Sequence, residues 1–274
     1  MNYHSDSWVF EQLNRHYNFA KTLYNDNQIV GIFVQGSTNY GLDTKNSDVD
    51  TKCLIVPTFK EIALNRKLVS TTNILPNEEH LDAKDIRLYI ETFHKQNLNF
   101  LEILFTDYAI VNPVYMKDWA RLLEHREEIA RMNPFRAVKS MKGIANEKYH
   151  AMKHPYPSKI ELIEKYGYDG KQVHHLLRVE DYLSRYEAGE PYKDCLRPTE
   201  ELIPRLMDYK NQLVPLEVAE VEAKAALERV DKMADDFCAK VPDKESVEMR
   251  ELLEDVSYNI MKIAVEEELG NGLD

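Results

Sequence analysis

The stretch Gly36-Ser37-Thr38-Asn39-Tyr40-Gly41-Leu42-Asp43-Thr44-Lys45-Asn46-Ser47-Asp48-Val49-Asp50 joins two apolar runs that read as strands. Ile29 to Val34 precedes it, and Val49 to Val56 overlaps its end. Side chains at i and i+2 of a strand share a face, so Asp48 and Asp50 are expected to project together while Val49 turns into the core. Two neighbouring carboxylates repel unless a positive charge sits between them, and a divalent metal ion is the usual one. Gly36 lets the backbone approach a ligand closely. Ser37, opening a short helix, offers a hydroxyl and N–H groups to an anion. Phosphate donors beside paired carboxylates point to chemistry on a nucleoside triphosphate.

Asp6 or Ser7 is placed to cap a helix from Trp8 to about Tyr24, closed by Asn25-Asp26-Asn27. Strands are expected over 29–35 and 49–56, the second ending at Pro57, which has no N–H for a ladder. A short helix from Phe59 and strands near 68–72 and 79–83 complete a small mixed sheet. After Asp85 the residues Ile86, Tyr89, Ile90 and Phe93 recur three or four apart, the period of a helix. From Val114 onward only helices are expected, including two long ones with acidic outer faces at about 216–239 and 244–268. The fold class is therefore α+β. A sheet domain is expected over 1–112 and an all-helical domain over 113–274, divided near Asn112-Pro113.

The chain has 274 residues, of which 30% are charged and 43% hydrophobic, the balance of a globular protein. Its first residues carry neither the basic nor the apolar region of a signal peptide, and no run is long enough to span a membrane. Cys53, Cys195 and Cys238 are odd in number and widely spaced, which argues against a disulfide framework and suits a cytoplasmic location. The net charge of −12 speaks against a protein that coats nucleic acid. Its distribution is uneven. Residues 131–178 hold 10 basic and 4 acidic side chains, whereas residues 179–274 hold 12 basic and 25 acidic ones. The basic segment interleaves its cations with Tyr149, Tyr156, Tyr166 and Tyr168, a composition able to hold a triphosphate or a polynucleotide end.

Gly-Ser, then Tyr-Gly, then Ser-Asp-x-Asp resembles the signature of the DNA polymerase beta-like nucleotidyltransferase superfamily. Within it the chain is most similar to a bacterial and phage group of predicted nucleotidyltransferases, some of them linked to RNA repair. Leu81-Asp82-Ala83-Lys84-Asp85-Ile86-Arg87 resembles the group's aspartate strand and following helix. Asn97-Leu98-Asn99-Phe100-Leu101-Glu102 resembles its Asn-Pro-x-x-Leu-Glu block, with Leu98 where proline is usual. Gly167 to Arg178 resembles its Lys-x-x-x-His-x-x-Arg helix. The likeness covers roughly residues 29–190.

The resemblance implies a small palm-like catalytic domain and transfer of a nucleoside monophosphate from an NTP to a hydroxyl, with pyrophosphate released. Two Mg²⁺ (or Mn²⁺) ions would serve that chemistry, held by Asp48, Asp50 and a third carboxylate. Asp82 is the candidate for the third, and Asp85 is its rival, although Asp85 also suits the cap of the next helix. Gly36, Ser37, Lys171, His174 and Arg178 are the candidate nucleotide-binding residues. Glu102 reads as a buried anchor for a basic group. The acceptor is an RNA or DNA end, or else a protein or small-molecule hydroxyl; a third reading is a nucleotide sensor without turnover. No membrane partner is expected, and the oligomeric state is open.

Overall fold

The computed structural model describes residues 3–271. The chain divides into two compact units, one running to Met132 and taking in the stretch from Glu245 onward, the other Asn133–Lys244. The expected boundary at Asn112-Pro113 lies inside the first unit. Beyond it, the helix Met116–Glu124 packs against the last helix, Val247–Asn271, which also packs on the helix Ile86–His94. Trp119 packs against Phe33 with ring centroids 4.5 Å apart and planes tilted by 35°.

The fold is α+β. Strands β1 (Ile29–Gln35), β2 (Asp50–Ile55), β3 (Ser70–Ile74), β4 (His80–Asp85) and β5 (Ala109–Val111) form one mixed sheet in the order β3-β4-β2-β1-β5. β2 and β4 are parallel, and every other pair is antiparallel. β5 went unread in the sequence because three residues are too few to show a period. β3 begins two residues later than expected, and β2 begins at Asp50 rather than Val49.

One face of the sheet is apolar. Ile32 and Val34 of β1, Cys53 and Ile55 of β2, and Leu81 and Ala83 of β4 pack beneath Val9, Leu13 and Ala20 of the first helix, Asp6–Leu23. Ser5 caps that helix, its Oγ accepting from Trp8 N at 3.3 Å, so the cap lies one residue ahead of those expected and Asp6 is the first helical residue. The opposite face carries Gln35, Asp50, Lys52, His80, Asp82 and Lys84, by the same alternation. Among the described residues no helix is long and apolar enough to cross a membrane.

The second unit is built around the helix Gly170–Glu187, which packs on Pro134–Ala151, Ile203–Lys210 and Leu216–Cys238. Its approach to the Ile203–Lys210 helix is close. A Cβ added at Gly170 would collide with the Tyr209 carbonyl oxygen and Gln212 Oε1, and Gly170 N donates to that same Oε1. Gly167 closes the preceding helix at φ +79°, the buried Tyr168 hydroxyl donates to Val214 O at 2.6 Å, and Asp169 caps the next helix through Lys171 N. Each residue from 167 to 170 thus has a structural task. Gly170→Ala is expected to destabilise this unit by about 2–3 kcal/mol in chemical denaturation, because overpacking against a carbonyl cannot relax by side-chain rotation.

Candidate functional site

The Gly36-Ser37 turn leaves the end of β1. Gly36 sits at φ +83° and ψ −146°, a conformation open in practice only to glycine, and the helix Ser37–Tyr40 follows at once. Gly41 ends it in the left-handed region at φ +70°. Asn39 Nδ2 donates to Val34 O at 2.8 Å, and Thr106 Oγ1 donates to Asn39 Oδ1 at 2.7 Å, tying the turn to the strand it leaves. The Tyr40 hydroxyl donates to Glu102, which is 3% exposed. The sequence suggested a basic partner for Glu102; a hydroxyl takes that place. The Ser37 hydroxyl is half-exposed and makes no side-chain hydrogen bond among the described residues.

Asp50 opens β2, opposite Gln35 of β1. Its Oδ1 accepts from His80 N at 3.0 Å and lies 3.2 Å from His80 Nδ1. Asp82 lies beside Lys52 in the parallel register of β2 and β4, so Asp50 and Asp82 share a face of the sheet. Thr72 Oγ1 donates to Asp82 Oδ1 at 2.7 Å and Gln35 Nε2 to Oδ2 at 3.2 Å. Asp48 is exposed and precedes β2, so the strand argument that would align it with Asp50 does not apply to it. Asp85 faces away from this cluster. It caps the Ile86–His94 helix through Arg87 N and holds the Arg87 guanidinium at 2.9 and 2.7 Å.

Two lysines on this face escaped the sequence reading. Lys52 is 5% exposed; its Nζ donates to Gln35 Oε1 and sits 4.8 Å from the Phe100 ring centroid. Lys84 Nζ lies 5.1 Å from the same ring and donates to Ser70 Oγ at 2.9 Å. Burial, with the Lys52 and Lys95 charges, pulls the Lys84 ammonium below its ordinary value against the opposing pull of Asp82. No carboxylate forms an ion pair with Lys52 or Lys84 among the described residues. Each lysine stands two residues after an aspartate, so the period of two in each strand carried the signal.

From the apolar side a buried polar cluster fixes the carboxylate-bearing segment. Glu79 Oε1 accepts from Val49 N at 3.3 Å, and Glu79 also pairs with Arg15. His16, fully buried, reaches Glu79 Oε2 through Nε2 at 2.8 Å and Thr51 Oγ1 through Nδ1 at 2.8 Å. Nε2 therefore carries the proton toward the carboxylate. Val49 and Thr51 flank Asp50, so this cluster sets where β2 begins.

Lys171, His174 and Arg178 belong to the other unit, Asn133–Lys244. Lys171 is exposed, and Arg178 is 4% exposed. His174 is buried, with Nδ1 donating to Leu206 O at 2.9 Å. Burial pushes its imidazole down to about 4, the Leu206 carbonyl opposing and Arg178, Lys210 and Lys171 reinforcing, so it is neutral near pH 7. Four of the ten cations in the basic segment are held in ion pairs. Arg136 pairs with Asp243, Lys142 with Asp235 at 2.8 Å, Lys148 with Glu147 at 2.7 Å, and Lys153 with Glu220.

Among the described residues no three His, Cys, Asp or Glu side chains gather to hold a metal ion. Mg²⁺ in a phosphate site is held by one or two carboxylates together with water and substrate phosphates, so a full protein cage is not required. Asp50 and Asp82, hard oxygen donors on one face, fit such an ion.

Two outcomes follow from the site's construction. Burial alone would raise the Glu79 carboxyl, but hydrogen bonds from His16, Asn77, Arg15 and Val49 N hold it down at about 2 against an ordinary 4.5. A depressed carboxyl stabilises the fold above its unfolded value, and that stability is lost as pH falls through the folded one. Acid unfolding between about pH 4.5 and 2 should therefore lose part of its pH dependence in Glu79→Ala, which should also cost on the order of 3 kcal/mol at neutral pH. Gly36→Ala meets open space yet should cost about 1–3 kcal/mol, through its backbone angle alone.

No protein-family profile matches the chain, and no curated protein matches it. In structure the chain is similar to a nucleotidyltransferase-like protein from Exiguobacterium sibiricum 255-15, with 15% identity over 82% of this chain and 74% of that one and a TM-score of 0.30.

Proposed function

We propose that the chain is a divalent-metal-dependent nucleotidyltransferase that moves a nucleoside monophosphate from an NTP to a hydroxyl acceptor. The observation that carries this reading is Lys52. A buried ammonium is costly without a counter-charge, and its protein contacts are a neutral amide oxygen and an aromatic ring. A phosphate is the anion that would complete it, on the same face as Asp50 and Asp82. The resemblance of the Gly36–Asp50 segment to nucleotidyltransferases supports the same reading.

Asp50 and Asp82 are the residues that would hold the Mg²⁺ ions, with the exposed Asp48, just before β2, as a further carboxylate that would have to swing in. Bound there, they would neutralise phosphate charge and ease deprotonation of the attacking hydroxyl. Lys52 and Lys84 orient the triphosphate, and Ser37 donates its hydroxyl to a phosphate oxygen at the Gly36 turn. Thr72 and Gln35 keep the Asp82 carboxylate facing the ligand, where it can also take a proton. A polynucleotide acceptor would draw on the basic segment, and four of its cations are already paired. That observation favours a second reading of the acceptor, a protein or small-molecule hydroxyl.

Pyrophosphate release from each NTP, with Mg²⁺ or Mn²⁺ and with RNA, DNA or protein acceptors, tests the reading. Asp50→Ala and Asp82→Ala should each lower turnover on the order of a hundredfold or more, and the label should identify the acceptor. Lys52→Met should weaken NTP binding roughly tenfold to a hundredfold while leaving stability unchanged or higher, since replacing a buried charge by an apolar chain relieves desolvation. NTP binding as strong in Lys52→Met as in the parent chain would remove the basis of the proposal.

A further inference from the structure

The far end of β2 holds a second concave site. Asp50 and Ile55 stand at opposite ends of the strand, about 17 Å apart at the ordinary rise per residue. Beside Ile55 lies a cavity of about 300 Å³, at the carboxyl ends of the parallel pair β2 and β4. Tyr24, Ile55 and Val69 give it apolar walls, and Arg66, Lys67 and Arg87 bring three cations to it.

The acids in the same wall are already engaged. Asp85 is gripped by the Arg87 guanidinium through both oxygens. Glu61 accepts from Thr58 N at 2.8 Å and from Thr58 Oγ1 at 2.9 Å, in the capping box of the Phe59–Ala63 helix. Arg66 and Lys67 have no ion pair or side-chain hydrogen bond among the described residues. They follow Asn65, whose left-handed backbone (φ +48°) turns the chain back after that helix. Three cations against the Asp85 and Glu61 carboxylates leave a net positive charge over the apolar hollow, in a chain of net charge −12, and that marks a place for an anion.

We propose that this cavity is a binding site, separate from the Asp50–Asp82 face, for a small organic anion. Its ligand carries one phosphate or carboxylate on a flat apolar body and is no larger than a nucleoside monophosphate. The anionic group lies against Arg66 and Lys67, with one outward N–H edge of Arg87 as a third donor, and the apolar body rests on Tyr24, Ile55 and Val69. The proposal does not depend on nucleotidyl transfer.

The test is a titration of the full-length ¹⁵N-labelled chain with phenyl phosphate, benzoate, AMP and inorganic phosphate, followed at the backbone amides of Ile55, Val56, Arg66 and Val69. Saturable shifts at these amides are expected near millimolar phenyl phosphate, the range a ligand of its size can reach. Benzoate against phenyl phosphate separates carboxylate from phosphate recognition, and inorganic phosphate alone should bind more weakly. Arg66→Glu/Lys67→Glu should weaken binding at least about thirtyfold, and the milder Arg66→Gln/Lys67→Gln roughly tenfold. Asp50→Ala/Asp82→Ala should leave it unchanged. Absence of saturable shifts at these amides, or equal affinity in both charge variants, would overturn the proposal. So would binding that disappears in Asp50→Ala/Asp82→Ala, since it would belong to the other face.

Discussion

Alternation along β2 is the constraint on which the first unit depends. Thr51, Cys53 and Ile55 turn toward the Asp6–Leu23 helix and are closed off from water, so Asp50, Lys52 and Leu54 must point the other way. A slip of one residue would bury two charges in the apolar layer and expose its core, which no rearrangement of side chains could repair. The parallel partner β4 obeys the same rule, with Leu81 and Ala83 inward and Asp82 and Lys84 outward. Two strands in register thus bring alternating acids and bases to one surface without any loop being asked to place them.

The register itself is anchored from the buried side. Glu79 holds the amide of Val49, and His16 holds the hydroxyl of Thr51, on either side of Asp50. A buried polar group is tolerated only when its partners are supplied, and here the partners belong to the residues whose position matters. The Gly36 turn is fixed in a related way, by Asn39 to its own strand and by Tyr40 to Glu102. The geometry of the candidate site is therefore set by groups that do not themselves face it.

The second unit applies electrostatics to packing. The helix Pro134–Ala151 meets the acidic helix Leu216–Cys238, and Lys142 lies within reach of both Asp231, at 3.5 Å, and Asp235, at 2.8 Å. The opposite charge biases of neighbouring segments in the sequence become pairs within one unit. Exposed pairs of this type contribute little stability each, but they occupy cations that would otherwise attract a polyanion.

Most of the element order was legible in the sequence, because local periodicity is enough to define it. Apolar runs marked β1 and β2, the three-to-four spacing of Ile86, Tyr89, Ile90 and Phe93 marked their helix, and the cap role of Asp85 followed from its place before that helix. The chemistry of Asp50 and Asp82 was visible as residue types. Other features required tertiary structure. β5 is three residues long and exists as a strand only through its pairing with β1. The parallel register that sets Lys52 beside Asp82 joins residues thirty apart, and no local pattern encodes which strands become neighbours. The neutral state of His174 comes from burial and from neighbouring cations, and the pairing of Lys142 from a helix some ninety residues downstream. Sequence period determined which side chains share a face; long-range packing decided which of them have partners.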